Sequence, residues 1–106
     1  MEMIGGEDMA ADEVPEGVPF RRLPIVNRKG LHARASAKFV QVVDRFDAVV
    51  EVSRAGETVG GRSIMGLLTL GAAKGTVITV TARGPDAEAS LDAIADLVAG
   101  RFGEDE

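Results

Sequence analysis

A chain of 106 residues is sized for one domain with a modest core and one small site. With no cysteine and a single histidine it has no disulfide framework and no thiolate or histidine-rich metal site, so neither a metal nor another cofactor is expected. Six of the 17 acidic residues precede the first basic one, Arg21, which leaves 12 scattered basic residues against 11 acidic in the rest and argues against nucleic-acid binding.

Residues 1–18 are polar and acidic, punctuated by Gly5, Gly6, Pro15 and Gly17, and read as a disordered extension ahead of a domain over 19–106. The first residues lack the basic flank and apolar stretch of a targeting signal. No later apolar run approaches the roughly 20 residues that span a bilayer, so a cytoplasmic protein without membrane insertion is expected.

Residues 21–26 are predicted as an extended segment, and Pro24 within it marks an edge strand, where a missing N–H breaks no ladder bond. From 33 to about 46, Ala35, Phe39, Val42, Val43 and Phe46 recur at helical spacing and predict an amphipathic helix. Val50 and Val52 alternate with Glu51 and Ser53, Ala55-Gly56 makes a turn, and Thr58-Val59 begins a return strand, which together predict a hairpin. Ser63 then precedes a short helix over 64–70 closed by Gly71. The β-branched run 76–82 is a strand with Ile78, Val80 and Ala82 on one face. After Gly84-Pro85-Asp86 a last helix is predicted, with Leu91, Ile94, Leu97 and Val98 along one side and Gly100 and Gly103 loosening its end. The order βαββαβα, with every strand short, predicts an α+β fold in which helices cover one face of an antiparallel sheet.

His32 lies where the loop 27–31 runs into the first long helix. A neutral imidazole is a nucleophile near pH 7, and a helix start offers unpaired N–H groups and a positive dipole end to an anion while disfavouring the imidazolium. Gly30 lets backbone approach an anion closely, and Arg34, two residues into the helix, can turn its guanidinium toward a phosphate oxygen. Together these residues make a seat for phosphohistidine. The plainer reading of His32 is a helix cap, that of Arg34 a solvated helix residue, and that of Ser63 an N-cap worth about 1 kcal/mol.

The run Gly30-Leu31-His32-Ala33-Arg34 resembles the active-site motif of the HPr family, the histidine-containing phosphocarriers of phosphoenolpyruvate-dependent phosphotransferase systems. A second run, Arg62 to Gly75, is similar to that family's segment around a regulatory serine, and the resemblance spans about 21–100. Two ordered motifs at fixed separation are far more specific than one short loop. The resemblance implies an open-faced β-sandwich in which three helices cover one face of a four-stranded antiparallel sheet. It implies that His32 accepts a phosphoryl group on Nδ1 from enzyme I and passes it to a IIA-type acceptor, that Arg34 steadies the phosphate, and that Ser63 is the target of an HPr kinase/phosphorylase. It also implies that Ile64, Met65 and Leu68 form an exposed docking patch, the alternative for each being a place in the core. Where the family usually has proline after the arginine, this chain has Ala35, which removes a preset φ but no nucleophile or charge. The expected protein is thus a monomeric phosphoryl carrier in a sugar-transport or regulatory branch. The competing function is a non-catalytic α+β regulatory or ligand-binding domain in which His32 only caps a helix.

Overall fold

The computed structural model describes residues 12–106. Four strands, β1 (Phe20–Pro24), β2 (Val49–Arg54), β3 (Glu57–Gly60) and β4 (Val77–Arg83), form one sheet with the order β1-β4-β2-β3, every neighbouring pair antiparallel. The helices are α1 (Ala33–Val43), α2 (Ile64–Thr69) and α3 (Ala87–Ala99), followed by a single 3-10 turn, Arg101–Gly103. The expected βαββαβα order and open sheet are therefore present.

The alternation in each strand decides which side is covered. Val50, Val52, Ile78, Val80 and Ala82 point to one face and are buried, and the register sets Val52 opposite Val80 and Val50 opposite Ala82. Against that face pack Phe39 and Val43 of α1, Leu67 of α2, and Leu91, Ile94 and Val98 of α3. Full burial of side chains of this size stabilises by roughly 1.5–3 kcal/mol each, so this layer is the main source of stability. The opposite face leaves Phe20, Val49 and Val77 exposed. As Pro24 required, β1 is an edge strand, pairing among the described residues only with β4. Arg21 leans from it over α3, donating to Glu88 at 2.9 Å and Asp92 at 3.0 Å.

Several boundaries differ from the sequence reading. α1 ends at Val43 rather than near 46, because Arg62 caps its C-terminus: Nη2 donates to the carbonyls of Val43 (3.4 Å) and Phe46 (3.2 Å), Nη1 to that of Ala48 (3.1 Å), and Nε to Asp44 (2.9 Å). The end of α3 is not loosened by its glycines. Arg101, Phe102 and Gly103 all take positive φ (59°, 54° and 77°), Phe102 is fully buried, and its carbonyl accepts from Lys38 Nζ at 2.6 Å. Of the expected N-terminal extension, residues 1–11 lie outside the described residues. In the described part, Asp12 accepts from the Gly56 N–H (2.7 Å) through its carboxylate and from Arg22 (2.8 Å) through its carbonyl. Composition gave no sign of these bonds, which join residues far apart in the chain.

Candidate functional site

The loop before α1 is tied down at each step. Leu31 N–H donates to the Ala72 carbonyl at 2.9 Å, and the buried Asn27 donates from Nδ2 to the Gly30 carbonyl at 2.8 Å. Gly30 has φ +70°, and a Cβ there would stand 2.6 Å from the Ala72 carbonyl oxygen. Glycine is thus needed for the chain's own packing, which brings it against the backbone after α2.

His32 is the N-cap of α1, in extended conformation, and its Nδ1 accepts the Arg34 N–H at 3.3 Å. The side chain keeps about a quarter of its surface exposed (26%). Since Nδ1 accepts, the neutral ring carries its proton on Nε2, an assignment that follows from the hydrogen bonds. Nε2 is hydrogen-bonded to Oε2 of Glu104. The other oxygen of that carboxylate, Oε1, accepts from Asn27 Nδ2 at 3.0 Å. Burial alone would raise the Glu104 pKa, but the bonds from Asn27 and His32, with the charge of Lys29, hold it below its ordinary value. Arg28 binds the next part of the tail, its side chain to Glu106 at 2.7 Å and its N–H to the Glu106 carbonyl at 2.9 Å. His32, Arg34, Lys29 and Glu104 share the walls of one open-sided hollow.

The imidazole and the cation named from sequence therefore stand together: Nδ1 accepts from the Arg34 N–H in the first turn of α1, and the Arg34 side chain lines the same hollow. Ala35, in the position after Arg34, is fully buried in that turn. Ser63 is the N-cap of α2, its Oγ accepting from the Gly66 N–H at 2.9 Å. Of the residues expected to form a docking patch, Ile64 is 39% and Met65 71% exposed and Leu68 is partly buried, while Leu67 between them is the core residue. Among the described residues no cluster of His, Asp and Glu could hold a metal ion, and no helix is long and apolar enough to cross a membrane.

Sequence reasoning missed Glu104 and the use made of Asn27. Asn27 opens the loop 27–31 that leads to His32 and was within reach. Glu104 is 72 positions from His32 and reaches it only because of three successive left-handed residues, for which local propensity gives no signal.

Residues 20–100 match the family model described as the PTS HPr component phosphorylation site. The chain is 45% identical over 86 residues to the phosphocarrier protein HPr of Cupriavidus necator, covering 81% of this chain and 97% of that protein. It is 48% identical over 84 residues to the HPr of Neisseria meningitidis serogroup A, covering 79% and 94% respectively. In three dimensions it is similar to the crystal structure of HPr-C-His from Thermoanaerobacter tengcongensis, with a TM-score of 0.79 and 36% identity over 83% of this chain and 99% of that one. A lone imidazole at the start of α1, the matching fold and these relatives lead to one statement: the chain belongs to the HPr family of phosphocarrier proteins of the phosphotransferase system.

Proposed function

We propose that this phosphocarrier takes its phosphoryl group on Nδ1 of His32 from phosphorylated enzyme I and delivers it to IIA-type acceptor proteins. The observation that carries the reading is the direction of Nδ1: its lone pair faces the Arg34 N–H at the mouth of a hollow, where an incoming phosphoryl group meets donors and positive charge. As the N–P bond forms, the Arg34 N–H loses the Nδ1 lone pair as acceptor and can turn to a phosphate oxygen. The Arg34 guanidinium then serves as a second donor from the same wall. An open-sided hollow, rather than an enclosing cage of cations, favours a phosphoryl group that must leave again for the next protein.

Ile64, Met65 and Leu68 supply the apolar contact for both partners. Ser63 is the site at which a kinase such as HPr kinase/phosphorylase opposes docking, because a phosphate beside Ile64 and Met65 places charge at an apolar interface. The carrier body is 19–106, monomeric and cytoplasmic, with 1–18 as an extension. Incubation with phosphoenolpyruvate and enzyme I tests the core of this. The parent protein should gain acid-labile phosphate and His32→Ala should gain none. Equal labelling of the two would overturn the assignment, and no labelling of the parent would favour a non-catalytic binding domain.

A further inference from the structure

The Nε2 side of His32 is as organised as the Nδ1 side, and phosphate binding does not account for it. Nε2–H faces Oε2 of Glu104, while Oε1 is held by Asn27 Nδ2 at 3.0 Å. Asn27 is fully buried, and both its amide hydrogens are committed, one to Glu104 and one to the Gly30 carbonyl. The consequence is an orphan: Asn27 Oδ1 is buried without a partner. Flipping the amide would set an oxygen against two acceptors, so the orientation is fixed and the unsatisfied oxygen is the cost of aiming Nδ2 at Glu104. A second cost lies in the backbone, where Arg101 and Phe102 hold φ of 59° and 54°, a region that bulky L-residues avoid. Burial of Phe102 and the bond from Lys38 Nζ to its carbonyl hold that turn and deliver Glu104 to the ring.

We infer that Glu104 is a positioning residue for phosphoryl transfer: its carboxylate, oriented by Asn27, holds the proton on Nε2 so that Nδ1 presents its lone pair, and then faces the positive charge that the ring acquires. The inference rests on the carrier reading above and deepens it. In the step, the Nδ1 lone pair forms the new N–P bond as the bond from phosphorus to the atom that carries it on phosphorylated enzyme I breaks and leaves its pair there. No proton need move, and the ring becomes an imidazolium bearing phosphate on Nδ1 and hydrogen on Nε2. Glu104 is then its counter-ion on the side away from the phosphate. In the reverse step the same carboxylate keeps the Nε2 proton in place while the ring leaves as a neutral base. Lys29 is the other charge acting on Glu104, and Arg28 is occupied by Glu106.

Ring-selective ¹⁵N NMR of the unphosphorylated full chain separates this role from mere tail anchoring. In the parent, the Nε2–H should give a hydrogen-bonded, slowly exchanging proton signal. Glu104→Ala should lose that signal, and its kcat/KM for phosphate uptake from phosphorylated enzyme I should fall about 10-fold, mostly in kcat. Glu104→Gln, which keeps an acceptor oxygen without the charge, should retain the signal and recover part of the rate. The inference is overturned if Glu104→Ala keeps the slowly exchanging signal or transfers phosphate at the parental rate. Its failure is distinct from failure of the carrier reading, in which the parent itself takes up no phosphate whatever its ring signal.

Discussion

At the scale of single residues, the site depends on atoms that have no alternative. Gly30 cannot be replaced without moving the loop, because alanine would be forced into positive φ with its Cβ 2.6 Å from a carbonyl oxygen. Gly30→Ala should lose about 2 kcal/mol or more in urea unfolding and slow phosphate uptake as well, since His32 is two residues on. Arg34→Ala should behave oppositely. Its side chain is exposed, so unfolding should change by less than about 0.5 kcal/mol while transfer from enzyme I slows, read from initial rates of labelling. The placing of His32 beside Arg34 at a helix start was legible because it is local: an imidazole, a helix start and a cation lie within three positions. Asn27 and Glu104 were not, because their meaning lies in a contact between chain ends that only the folded backbone creates.

At the scale of elements, α2 shows how little holds a short helix. Six residues make few internal bonds, and the helix is fixed by Ser63 at its start, by Leu67 inserted into the core, and by close packing of Gly66 on Val59. Ser63→Ala should cost about 1 kcal/mol in denaturant unfolding as the Gly66 N–H loses its acceptor. Met65→Glu should leave stability nearly unchanged, given 71% exposure, yet weaken binding to enzyme I in titration calorimetry, because the new charge must be desolvated at an apolar contact. The strands and helices were read well wherever pattern and punctuation agreed. The β-branched run of β4, the Ala55-Gly56 turn and the Ser63 cap are examples, with Ala55 and Gly56 both at positive φ. The end of α1 was read too late because Phe46 continues the apolar spacing, and the stop comes from Arg62, a side chain brought in from beyond the hairpin.

At the scale of the whole molecule, the C-terminal segment ties the last helix to the first loop, and its hold depends on pH. Burial opposes ionisation of Glu104, but Asn27, His32 and Lys29 together depress its pKa below the ordinary 4.5. A carboxyl depressed on folding contributes stability that is complete above its unfolded value and is lost as pH falls through the lower folded one. The segment should therefore stay docked at neutral pH and loosen only in acid below about 4.5. Unfolding free energies measured from pH 7 to pH 3 should show Glu104→Gln losing less stability over that acid range than the parent does.

The strand order has a consequence for how the chain comes into being. β4 lies between β1 and β2, yet it is the last of the four described strands in chain order, so both long-range seams of the sheet must wait for residues 77–83. Among the described residues, the hairpin of β2 and β3 is the only strand pairing available on the ribosome before then. The apolar faces of Phe39, Val43, Val50 and Val52 are left without the surface they will cover. Emergence of β4 and α3 should therefore close both seams and their cover together rather than by stages, with the nascent chain most exposed to aggregation just before β4 emerges.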